Sequence, residues 1–70
     1  MFITLTNASP AFKGQPIALR KDLIVTVNEM EITRTEGEEE TKEMVTFIFI
    51  PPHGTWEVQE SMKEVMKLLK

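Results

Sequence analysis

The chain has no cysteine, only one histidine and only one tryptophan among its seventy residues. Without cysteine there are no disulfides, no thiolate metal sites and no cysteine nucleophile. A single histidine excludes a multi-histidine metal centre. No apolar run approaches the ~20 residues of a membrane-spanning helix. The opening Met1-Phe2-Ile3-Thr4-Leu5-Thr6 lacks the basic start and long apolar stretch of a secretory leader, so the expected location is the cytoplasm. Basic charge is also short. Eight Lys and Arg against eleven Asp and Glu leave a net charge of −3, whereas a nucleic-acid binder usually displays a basic patch.

Most of the large apolar residues stand in the last third. Thr46-Phe47-Ile48-Phe49-Ile50 is β-branched and aromatic, which suits a pleated, packed surface. It is apolar in both phases, as a central or covered strand is. Pro51-Pro52 ends it, since proline has no N–H for the ladder, and His53-Gly54 completes a turn. Thr55 to Gln59 then alternates, with Trp56 and Val58 on one side. Ser61-Met62-Lys63-Glu64 is a capping box, in which Ser61 accepts from the Glu64 N–H and the Glu64 carboxylate reaches back to the Ser61 N–H. Met62, Val65, Met66 and Leu69 follow at helical spacing, Leu68 on their flank. A helix over about 61–70 is too short to stand alone and must dock.

Upstream, Phe2–Thr6 alternates as a first strand, and Asn7–Pro16 is a loop rich in turn formers. Ile17-Ala18-Leu19 is a short strand, Arg20-Lys21-Asp22 a charged corner, and Leu23–Val27 a second strong β run. Asn28-Glu29 reads as a turn before a strand from Met30 to Thr35. Glu36-Gly37-Glu38-Glu39-Glu40 is a charged turn leading back through Thr41–Val45. The whole is one domain, residues 1–70, mainly β (α+β). The expected architecture is a small antiparallel, strongly bent sheet or half-open barrel of five to six strands with one C-terminal helix.

The order of elements and several residues resemble the flagellar FlbD-type family and similar short bacterial and phage proteins. The matching pieces are Ile3-Thr4-Leu5-Thr6, the G-x-P-I-x-L run from Gly14 to Leu19, and Asp22-Leu23-Ile24. Closest is the C-terminal pattern of Trp56, Val58, Glu60, Ser61, Glu64, Val65 and Leu68. The Pro10 loop and the longer hairpin from Met30 to Phe49 differ from the family's pattern. The resemblance implies a small non-enzymatic accessory protein in a bacterial or phage-infected cell, with no catalytic residue and no cofactor.

Charge is segregated. Residues 29–43 hold seven acids and two bases, Arg34 and Lys42, a net −5; six bases and four acids elsewhere make +2. The acidic run Glu36, Glu38, Glu39 and Glu40 lacks the ligand spacing of a calcium loop. It reads as a solvated hairpin tip, or as a surface that mimics acidic nucleic acid or docks a basic partner. His53 is expected to be an exposed turn residue, the alternative being a side chain that faces a ligand beside Trp56. Phe12 is expected to plug the core, the alternative being an exposed contact. Trp56 is expected in the core, and if exposed it is the best hot spot for a partner.

These features favour a protein–protein interaction or accessory module that also forms a homo-oligomer, because a core this small rarely supplies more than ~3–5 kcal/mol. The alternative is a nucleic-acid-binding regulator using a small-barrel face. Its basic positions would be Lys13, Arg20, Lys21, Lys63, Lys67 and Lys70, and its stacking aromatics Phe2, Phe12 or Trp56.

Overall fold

A computed structural model describes residues 1–70. Five strands, two 3₁₀ turns and one helix follow in order: β1 (Phe2–Thr6), a turn at Pro10–Phe12, β2 (Pro16–Arg20), a turn at Lys21–Leu23, β3 (Thr26–Glu36), β4 (Glu39–Ile50), β5 (Gly54–Val58) and α1 (Met62–Leu68). All pairing is antiparallel. The strands form two sheets, β1-β2 and β3-β4-β5, with β4 central in the second. No closed or curled sheet is present.

The anticipated turn at Asn28-Glu29 does not form. Asn28 pairs with Phe47 and Glu29 with Thr46, so two expected strands are one continuous β3. A turn former on the solvent side of a ladder does not break it when the strand opposite continues. This merging sets the strand number at five. Of the expected β run Leu23–Val27 only Thr26 and Val27 are strand: Ile24 and Val25 are irregular and Leu23 joins the second 3₁₀ turn, where Arg20 Nη2 donates to Asp22 Oδ2 at 2.8 Å. That bond from Arg20 holds the Asp22 carboxyl below its usual value. Prolines mark strand limits as anticipated. Pro16 opens β2, and the Pro51–Pro52 bond, in the cis form, follows β4.

Register decides which apolar residues meet. Val27 faces Ile48, Ile48 faces Trp56, and Thr46 faces Val58. Residues directly opposite share a face, so Ile48, Ile50 and Val58 look toward Ile3, Leu5 and Leu19 of the smaller sheet. Val65 of α1 joins them in one buried cluster, with Ile17, Ile24, Val27 and Leu69 packed around it. Only Val65 and Leu69 of the helix turn inward, an i, i+4 pair on one side. Met62, Met66 and Leu68 are exposed. Ser61 caps α1 as predicted, accepting from the Glu64 N–H at 3.2 Å. The Glu64 carboxylate accepts from the Ser61 hydroxyl, not from the Ser61 N–H.

The two sheets are joined end to side. Asn7 bridges Val58, Ala8 N–H donates to the Glu57 carbonyl at 2.9 Å, and Gln59 N–H donates to the Thr6 carbonyl at 2.8 Å. The Glu60 carboxylate takes both donors of Thr6, the backbone N–H at 2.8 Å and the hydroxyl at 2.9 Å. The buried Thr46 hydroxyl donates to the Glu60 carbonyl at 2.6 Å. The strand before α1 is thereby tied to β1 on one side and β4 on the other.

Ile48 is fully buried at the centre of this cluster. Truncating a buried Ile typically costs about 2–5 kcal/mol, as much as a core of this size supplies. Ile48→Ala is expected to abolish the cooperative thermal transition followed by circular dichroism. Ser61→Ala, which removes the cap, is expected to cost ~1 kcal/mol and lower the midpoint by a few degrees.

Candidate functional site

The distal hairpin is the part of the molecule least committed to the core. β3 and β4 pair without interruption from Thr26–Phe49 out to Glu36–Glu39, closed by the two-residue turn Gly37-Glu38. Gly37 has φ +64 and Glu38 a negative φ, which fits a turn needing a left-handed residue only at its first central position. Eleven residues of strand span roughly 36 Å at 3.3 Å each, most of the molecule's 42 Å long axis.

Glu36, Glu38, Glu39 and Glu40 are all exposed at this tip, and none of them makes an ion pair. Glu36 stands directly opposite Glu39, a like-charge pair that opposes strand pairing. No group of three acids or imidazoles is arranged to hold a metal ion. His53 and Trp56 are not brought to the tip; Phe12 stands on the loop that borders Glu36. His53 lies in the β4–β5 turn at the far end of β4, exposed, its N–H donating to the Ile50 carbonyl.

Two expectations are corrected. Phe12 does not plug the core; it is 61% exposed. Its loop is closed on itself, with Asn7 N–H donating to the Gln15 carbonyl, Gly14 N–H to the Asn7 carbonyl and Phe12 N–H to the Ser9 carbonyl. The loop is anchored to the body through Asn7 and Ala8, while the turn at Pro10–Phe12 lies beyond that anchor and leaves the ring outside. Trp56 shares the core face with Ile48 and Val58 but is 38% exposed. The smaller sheet reaches β5 only at its Val58 end, so nothing covers Trp56 fully.

The residues that position the hairpin were not singled out in the sequence reading. Arg34 Nε donates to Glu43 Oε1 at 2.7 Å, and its Nη2 donates to Glu57 Oε1 at 2.7 Å and to the Ala8 carbonyl at 3.3 Å. One guanidinium thus links β3, β4, β5 and the loop after β1. Arg34 stands opposite Thr41 and Glu57 opposite Phe47, positions about 20 Å apart on a flat strand. The Arg34 and Glu57 side chains nonetheless meet at 2.7 Å, so the strands are not flat between these positions. The bonds that Arg34 donates to Glu43 and then to Glu57 raise its pKa. The bond from Arg34, with the field of Lys13, holds the Glu43 carboxyl below its usual value of 4.5. Lys13 Nζ lies 3.9 Å from Glu43 Oε2. A hollow of about 290 Å³ lies between loop and hairpin, lined by Ala8, Pro10, Lys13, Arg34, Glu36, Thr41 and Glu43. The available signal was Arg34 itself, one of two bases in a segment otherwise rich in glutamate.

No protein family, no curated protein and no solved structure matches this chain.

A carboxyl whose folded pKa lies below its ordinary value stabilises the fold above that value, and the contribution is lost as pH falls through the folded pKa. Acidification below 4.5 is therefore expected to release the hairpin from the loop at residues 8–13, read as faster amide exchange at Ala8. Arg34→Met is expected to show the fast exchange already at neutral pH and no further acid step. Identical acid profiles in the two proteins would remove the brace from this account.

Proposed function

We propose that the chain is a non-enzymatic protein–protein interaction module, an accessory or regulatory protein of a bacterial or phage-infected cytoplasm. The observation that carries this is the hairpin tip. Four exposed glutamates without counter-ions sit on a ribbon that projects from the core and is held by its own arginine. Uncompensated charge that opposes local pairing is retained at a cost, which a basic partner surface would offset on binding. The resemblance to FlbD-type accessory proteins points the same way. Exposed Phe12 and Trp56, with His53 in the turn beside β5, supply further contact positions on the body.

Copies of the chain also associate in this reading. Only nine apolar residues are buried, while Phe2, Val25, Met44 and Met66 are among the large ones left exposed. The outer edge of β2 has no strand beside it, a ready place for a second chain. The seam at Asn7–Val58 supports reading the two sheets as leaves of a half-open barrel.

A nucleic-acid-binding role is the second reading, favoured by one contact. Lys21 Nζ donates to the Lys70 carbonyl at 2.7 Å, which sets Lys21, the neighbouring Arg20 and the basic end of α1 side by side.

Recovery of partners from host lysate with a tagged chain separates these readings. A protein partner is expected to survive nuclease treatment. Its recovery should fall at least about tenfold when Glu36, Glu38, Glu39 and Glu40 are all changed to Lys, a loss of ~1.4 kcal/mol or more. Unchanged recovery would remove the tip as the contact, and loss of every partner on nuclease treatment would favour nucleic acid. Light scattering is expected to give a mass of two or more chains; a monomer at high concentration would contradict self-association.

A further inference from the structure

β3 is the outermost strand of its sheet; α1 packs against it near Val27, but no strand pairs with its outer edge. No backbone or side-chain hydrogen bond reaches the Thr26–Glu36 backbone from outside the β3–β4 ladder. Natural edge strands are usually blunted by charged side chains, above all lysine, or by proline, a bulge or a covering element; β3 carries Glu29, Glu31, Arg34 and Glu36, mostly acidic charges that oppose a like strand and suit a basic one. β3 contains no proline and no lysine, and its register against β4 is unbroken along all eleven residues, so there is no bulge. The free outer part of β4 differs. It carries Lys42, and the loop at residues 8–13 lies beside it. Beyond the reach of β5, which pairs only with Thr46–Ile50, the hairpin is a two-stranded ribbon, marginal in water without a third strand.

We infer that β3 accepts a third strand, an extended basic segment of another protein that pairs along Glu29–Thr35. This rests on the interaction-module reading and names the partner's chemistry. Along β3 the side chains alternate, Glu29 and Glu31 on one face and Met30 and Ile32 on the other. Glu29 and Glu31 make no ion pair, and Met30 is 47% exposed. An added strand with Lys or Arg at every second position sets its charges beside Glu29 and Glu31. Its intervening apolar residues then cover Met30 and Ile32. Backbone pairing supplies affinity and the alternation supplies specificity. A second copy of this chain fits poorly. Antiparallel self-pairing about the strand midpoint places Glu31 against itself, and like charges directly opposite are destabilising. The acidic tip beyond raises the local concentration of a basic segment and steers it to the edge.

The probe is a capped ten-residue peptide alternating Lys and Val, titrated into the full chain while amide exchange is followed. Slowed exchange at residues 29–35 is the expected result. N-methylating the four central peptide residues removes donors from both peptide edges and keeps every charge; this should weaken binding at least about tenfold. The double variant Glu29→Gln/Glu31→Gln, two exposed strand positions, should weaken it by about tenfold as well. Equal affinity for the N-methylated peptide would show charge attraction without strand pairing and overturn the proposal, as would unchanged binding by the double variant. Residues 29–35 already protected by a dimer in the free chain would also overturn it, by assigning the edge to a second copy. If the peptide fails while reversing the tip still abolishes partner recovery, the strand mode falls and the interaction-module reading stands. If peptide binding holds while tip reversal has no effect, the tip falls as the contact and the β3 edge stands as the docking surface.

Discussion

Glu60 holds the two sheets at a fixed relation. Its carboxylate takes both donors of Thr6, its carbonyl takes the Thr46 hydroxyl, and the two residues before it, Val58 and Gln59, pair with Asn7 and Thr6. The smaller sheet has only two strands and the helix only seven residues. Neither is stable alone in water. Their apolar faces become a single core because this seam sets Ile3 and Leu5 over Ile48 and Val58. Buried polar atoms along it are satisfied without exception, so the joint does not carry the desolvation penalty that an unpaired group would add.

On the tip side of Val45 the hairpin buries no apolar residue, and the organising force there changes from packing to charge. Arg34 does for the outer hairpin what Glu60 does for the sheets. It gathers two carboxylates and a carbonyl from three separate segments, while a quarter of its side chain still meets solvent. Charge pairs of this partial exposure are screened by salt, whereas the core is not. The molecule therefore has a body of one character and an arm of another, with the arm's geometry sensitive to ionic conditions and the body's insensitive.

Local chemistry was legible in the sequence where a single short-range rule governs. The prolines at Pro16 and Pro51, the alternation through Trp56 and Val58, and the Ser61 cap all appear where their residue types placed them. The segregation of acid into the hairpin was legible by counting. What pattern could not supply was long-range register. Asn28 and Glu29 read as a turn because their propensities are local, while the ladder across from Thr46 and Phe47 decides the outcome. Phe12 and Trp56 read as core by residue type, yet one sits on a surface turn beyond the anchors at Asn7 and Ala8 and the other beyond the reach of the smaller sheet. Arg34 could be noticed in an acidic stretch, but its partners Glu57 and Ala8 are more than twenty residues away.

Lys21 touches both ends of the chain. Its N–H donates to the Met1 carbonyl at 3.0 Å, and its ammonium group donates to the carbonyl of Lys70. The two ends therefore leave the body at one corner, within the length of a lysine side chain of each other. A few flexible residues would close the polypeptide into a ring. A domain fused at either end would sit beside that same corner, and the glutamate tip, on the distal arm, would stay clear of it.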